Sequence, residues 1–233
     1  MCDLTVRAAT WLLLCAPGGL HARRAERLAA FALAAGRPAS AEPVLQAFAL
    51  LWRVCWDNQR KEVFWRLAYD GVPTAVRCHL PDCSCPCGAP RADREHHFWA
   101  CMVAAAVVRE VEAAAAGVGR PLSAPLQRHQ VWLVVEPTGI NTGVWAVVVL
   151  AIVTAMEQGR RTLVAQRLAG ASAGPALAVV AARRAVRRFW EALYDFAALR
   201  ELPPRAGGAP LDGAHPFLCL PGDSVPGVRV HRP

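Results

Sequence analysis

Catalytic signatures are scarce in this sequence. It holds no G-x-x-x-x-G-K-[ST] phosphate loop, no G-x-G-x-x-G and no H-E-x-x-H. The Tyr-x-Asp-Asp signature of polymerases is absent. So are the H-x-E and P-C-x-x-C elements that a zinc deaminase needs. These gaps exclude the commonest nucleotide-dependent and metal-hydrolase chemistries, and we expect no enzyme here. No internal repeat is found, which excludes a solenoid. Lysine is almost missing: of 26 basic residues only Lys61 is a lysine. Long apolar runs are missing too. The longest, Val144 to Met156, has 13 residues broken only by Thr154, whereas a spanning helix needs about 20. It reads as a helix buried in a soluble core, and no membrane partner is expected. Residues 8–16 loosely resemble a signal peptide, but Asp3 sits wrongly for one and the apolar run is short. An intracellular protein, nuclear or cytoplasmic, is the expectation. A mature N-terminus near Arg23 would instead mark export.

What is present favours helix. Hydrophobic residues make up 55% of the 233 residues, and alanine, the best helix former, supplies much of that. The formal charge is +8. Arginine suits phosphate recognition, but arginine and alanine also rise together under GC-rich coding, so the charge alone does not name a partner. Helices are predicted over 1–16, over 21–35, over 42–57 with Val44, Leu45, Phe48, Leu51, Trp52, Cys55 and Trp56 on one face, and over about 58–70. The last of these should stop at Asp70-Gly71. Helices are also predicted over 98–116, over 144–168 with Thr142 as cap, and over 176–202. Residues 131–135 read as a short extended piece. From Pro203 onward proline and glycine dominate and an irregular tail is expected. The expected architecture is mostly α. An N-terminal helical segment (1–57) leads into a small metal module (58–112). A C-terminal helical region (113–202) and the tail (203–233) follow.

Residues 76–95 break this pattern. They are rich in Cys, Pro, Asp and Arg, have no apolar period, and cannot build a core. Nine cysteines are present, four of them at positions 78, 83, 85 and 87. Zinc takes four Cys or His ligands in a tetrahedron, commonly as two close pairs. Cys85-Pro86-Cys87-Gly88 offers one pair. His96 or His97 with Cys101 offers the other, at the start of a helix. Cys83 is an alternative to Cys85. His97 is an alternative to His96, because residues four apart share a face of an α-helix. The remaining cysteines, Cys2, Cys15, Cys55, Cys78 and Cys219, read as buried or incidental thiols, and His21, His79, His129, His215 and His231 as surface residues.

The same stretch resembles a known family. Trp65-Arg66-Leu67, Asp70-Gly71-Val72-Pro73-Thr74, Cys85-Pro86-Cys87-Gly88 and His96-His97-Phe98-Trp99-Ala100-Cys101 together look like the reverse-transcriptase zinc-binding domain found after the polymerase in non-LTR retrotransposon proteins. The resemblance covers about residues 60–110 and departs from the family in its shortened C-x-C pair. It implies a structural zinc on Cys85, Cys87, His96 and Cys101, and docking to RNA or DNA or to a reverse-transcriptase core, with the polymerase absent. A second expectation is a metal-free helical protein-interaction module using residues 144–156 and 48–65. Charge tempers the nucleic-acid expectation. Residues 61–110 hold six basic and six acidic residues, so the module is near neutral where phosphate contacts need positive charge. On the last predicted helix, Arg184, Arg187 and Arg188 face away from Val186, Phe189, Trp190 and Leu193, with Glu191 and Asp195 spaced to pair with them.

Overall fold

A computed structural model of the chain describes residues 20–33, 40–117, 121–170 and 174–200. The predicted helix 1–16, the signal-like segment and the Pro/Gly-rich tail lie outside them. Among the described residues the chain forms seven α-helices, one π-helical turn and no strand. They are α1 (Leu20–Ala32), α2 (Glu42–Arg53), α3 (Asn58–Ala68), the π turn (His96–Ala100), α4 (Met102–Gly117), α5 (Arg128–Trp132), α6 (Thr142–Leu168) and α7 (Pro175–Arg200).

α6 is the centre. It is buried without a break from Val144 to Glu157, as its all-round apolar sequence requires. It packs on α7, α4, α3, α2 and the π turn. α7 turns toward it a stripe of mostly small residues, Ala178, Ala181, Ala185, Phe189, Ala192 and Phe196, all buried. The close crossing depends on Gly159. A Cβ there would collide with Val103 Cγ1 of α4 and lie 3.3 Å from Ala185 Cβ of α7. One apolar core runs from Ala25 through Phe196, so α6 is the scaffold against which the cysteine-rich segment is placed.

Several boundaries differ from the sequence expectation, each for a local reason. Asn141, not Thr142, caps α6. Its Oδ1 accepts from the Gly143 and Val144 amides at 2.8 and 3.3 Å, while the Thr142 hydroxyl donates to Glu136. Of residues 131–135, expected to be extended, Val131 and Trp132 end the helical turn Arg128–Trp132 and 133–135 form no strand; a five-residue apolar run cannot distinguish the two. This turn buries Trp132 beneath Phe31 at 4.5 Å. α2 stops at Arg53, leaving Cys55 exposed. At the end of α3 the left-handed residue is Asp70 (φ 53°), and the Gly71 amide closes back on Arg66 O at 2.6 Å. Asp tolerates that conformation better than most residues.

One buried ionic cluster ties α6 to the chain entering the cysteine segment. Arg160 donates Nε and Nη2 to both oxygens of Glu157 at 2.6 and 2.7 Å, and Nη1 to Pro73 O at 2.7 Å. Arg161 Nε adds a bond to Glu157 Oε1 at 2.9 Å. Burial pushes the Glu157 carboxyl up, but the hydrogen bonds and charges of Arg160 and Arg161 outweigh it, and the net direction is down. A carboxylate with a depressed folded pKa contributes stability above its unfolded value and loses it as pH falls through the folded one. Glu157→Gln should therefore lower the unfolding free energy at neutral pH by about 3 kcal/mol, because Arg160 is left buried without its counter-charge. Urea unfolding should show the gap to wild type shrinking as pH falls below the ordinary glutamate range of about 4.3 and on through the lower folded value, where the wild-type carboxyl takes up its proton.

Candidate metal centre

The segment from Pro73 to Ala100 carries little apolar side chain inward. Hydrogen bonds from the helical scaffold position it. Arg167 near the end of α6 donates to Ser84 O at 2.7 Å and pairs with the Asp82 carboxylate. The Gly174 amide, just before α7, donates to Pro86 O at 2.9 Å. Arg94, itself buried, donates Nη1 to Leu67 O and Ala68 O at 3.0 and 3.4 Å. It thereby satisfies carbonyls that the end of α3 leaves open.

Within this frame Cys85 to Ala89 make a tight turn. The Gly88 amide donates to Cys85 O at 2.9 Å and the Cys85 amide to Ala89 O at 2.7 Å. Gly88 takes φ +100°, where a side chain would be strained. The turn aims amides at sulfur. Cys87 N–H serves Cys85, and Ala89 N–H serves Cys87. The Val103 amide, at the start of α4, serves Cys101 in the same way. Each of these bonds favours the thiolate.

His96 and Cys101 arrive from the π turn. His97 is the alternative to His96 in the sequence because an α-helix puts residues four apart on one face. The turn here is wider: Cys101 N–H reaches His96 O, five residues back, at 2.6 Å. This i→i+5 closure is the mark of a π turn, a form often found at functional sites. It brings His96 and Cys101 to the same side. Asp93 anchors the entry, its Oδ1 accepting from the His96 amide at 2.8 Å while Arg91 holds Oδ2 at 2.8 Å.

The result is a single cluster. Cys85 Sγ, Cys87 Sγ, a His96 ring nitrogen and Cys101 Sγ all lie within 4.8 Å of one another, close enough to hold a metal ion. Cys87 Sγ is 3.2 Å from His96 Nε2. Ideal tetrahedral zinc edges with thiolate and imidazole are roughly 3.5–3.8 Å, so the donor set fits a four-coordinate ion with small adjustments. Cys85 and Cys101 are buried, Cys87 and His96 half-buried. Cys101 is pushed down by the hydrogen bond from Cys85 and then by His96 and His97. Cys85 is pushed up by the same bond and by burial, and burial also raises Cys87. A cation offsets that mutual repulsion.

The alternatives fall outside the cluster. Cys83 Sγ turns to Leu80 O at 3.2 Å. His97 is buried, its ring 5.5 Å from that of His96, and lies outside the group of four donors. Cys78 and Cys55 are exposed rather than buried. The supporting residues Asp93, Arg94 and Arg167 were not singled out from sequence. Asp93 alone had a local signal, a capping residue three positions before His96. On α7, Arg188 is engaged with Glu191 and Asp195, and Arg187 with Glu191, while Arg184 is exposed. Residues 170–174, Gly-Ala-Ser-Ala-Gly, match the G-x-S-x-G pattern. They follow a helix rather than a strand, unlike a nucleophile elbow, and 171–173 lie outside the described residues.

Asp93→Ala should free the His96 entry. Metal affinity, measured by competition with a chromophoric chelator, should fall at least about tenfold, as for other groups that orient a ligand from behind. Thermal stability of the metal-loaded protein should fall by only about 1 kcal/mol, the worth of a cap. Comparison with known proteins adds no assignment: no family model, curated protein or solved structure matches this chain.

Proposed function

We propose that this chain is a zinc-stabilised helical docking module, with Cys85, Cys87, His96 and Cys101 holding one structural zinc. The observation that supports it is the convergence of three sulfurs and one imidazole in a segment that has no apolar core of its own. Three soft thiolates and an imidazole suit zinc above harder cations. Four protein ligands complete its shell and leave no position for an activated water, so the role assigned to it is structural rather than catalytic. When bound, the ion supplies binding free energy that becomes folding free energy for residues 76–101.

In this reading the motif order, Trp65-Arg66-Leu67 through Cys101, is kin to the reverse-transcriptase zinc-binding region, and the chain acts as a docking piece without a polymerase. The metal itself is not the contact surface. Phe98 is buried in the core, and Trp99 is half-buried against it. Docking, to protein or to nucleic acid, falls to the helices that the zinc loop locks together. The thiols among the described residues are unpaired, which suits a reducing compartment.

Elemental mass spectrometry on protein purified without chelator tests the reading. One zinc per chain is expected in wild type and little in Cys87→Ala, with a loss of thermal stability in step. Apparent zinc-site free energies are on the order of 10 kcal/mol, so the variant should unfold its module at room temperature. Wild type without metal would leave the metal-free helical interaction module as the better account.

A further inference from the structure

An open groove lies between α4, which the proposed zinc loop leads into, and α7. Met102 and Ala106 of α4 and Val179, Ala182 and Val186 of α7 form its apolar lining, and its volume is about 470 Å³. The groove exists because Ala106 and Ala182 are too small to fill the space between the helices. One step further along both, Trp190 Nε1 donates to Glu110 at 2.7 Å and closes the end.

The rim is cationic. Arg109, Arg183 and Arg187 line it, and among the described residues no acidic one does. All three are exposed. Arg187 has a surface pairing with Glu191 at 3.1 Å. Arg109 and Arg183 show no ion pair among the described residues. An apolar floor flanked by these arginines asks for an occupant with apolar anchors and flanking negative charge.

We propose that this groove is a docking site for an acidic amphipathic helix of a protein partner. The contact would use two or three apolar anchors at i, i+3/i+4 and i+7, flanked by Asp or Glu. From Met102 to Arg109 the wall rises about 10 Å, matching two turns of such a helix. Met102 at one edge can adapt to the anchor's shape. Two other occupants fit less well. Single-stranded nucleic acid stacks bases on aromatic side chains, and none lines the groove among the described residues. A second copy of this chain meeting the same face would set arginine against arginine. The proposal rests on the docking reading above and gives that docking a place and a partner chemistry.

The test uses the full chain as purified, with zinc measured on every sample. A displayed library of helical peptides of about 15 residues is selected against wild type, and enriched peptides are measured by fluorescence anisotropy. The counter-target is the surface variant R109Q/R183Q, with A106W, which fills the groove, as a second. Enriched peptides should share apolar residues at helical spacing with acidic flanks. They should lose at least about tenfold in affinity in either variant and weaken as salt rises. No enrichment, or peptides that bind R109Q/R183Q as tightly as wild type, would overturn the proposal. So would oligothymidylate or oligouridylate of about 20 nucleotides binding through Arg109 and Arg183 while no peptide is enriched. Wild type that lacks zinc yet binds the acidic peptides would sink the metal reading and uphold the groove. Wild type with full zinc and no peptide binding would sink the groove alone.

Discussion

Residues 76–95 have too little apolar surface to order themselves, yet with the π turn that follows they hold one sharply defined arrangement. Three sulfurs and an imidazole are gathered within 4.8 Å. Two are contributed by the Cys85–Ala89 turn and two by the π turn that leads into α4. Bringing thiols together in a buried place is unfavourable without a cation, because deprotonating one raises the cost of deprotonating the next. That conflict is visible in the opposite directions in which Cys85 and Cys101 are pushed. Amides from Cys87, Ala89 and Val103 already point at the sulfurs. The surroundings are therefore arranged for negative charge on sulfur, which is what a divalent ion with four protein ligands requires.

The helical scaffold makes this arrangement possible by fixing both ends of the segment. α6 is buried along most of its length and reaches the segment with two arginines, Arg160 at Pro73 O and Arg167 at Ser84 O. α3 is joined from the other side by Arg94. Arginine can serve backbone carbonyls in this way because it presents several donors in a rigid fork while its charge is met nearby. By length and composition alone α6 would also cross a membrane, but 83% of its most apolar stretch is buried against the protein's own helices. Its hydrophobicity is spent on the core. Gly159 then lets α4 and α7 approach it together.

Much of the fold was legible in the sequence. Period and composition located α1 to α4, α6 and α7, because alanine, valine and leucine repeat at helical spacing and glycine and proline interrupt them. The misplaced pieces were short or decided by side chains in loops. Residues 131–135 form too brief an apolar run to have a period. Asn141 and Thr142 are adjacent capping residues, and only the local hydrogen bonds select between them. The cluster Cys85, Cys87, His96 and Cys101 was legible by spacing, with Cys83 and His97 left as alternatives. What separates His96 from His97 is the π turn, a five-residue closure that no α-helical period anticipates. The arginines that hold the segment, and the pairing of Arg109 with Arg183 across a groove, join residues far apart in sequence. No local pattern marks such contacts.

Three sulfurs and one nitrogen enclosing a single zinc ion would give that ion a distinctive scattering shell. X-ray absorption at the zinc edge of the purified protein tests it most directly. The account predicts a four-coordinate first shell of three sulfurs near about 2.3 Å and one nitrogen near about 2.0 Å, with the outer-shell scattering of a single imidazole. A shell of four sulfurs, of two imidazoles, or of five or six light atoms would contradict it.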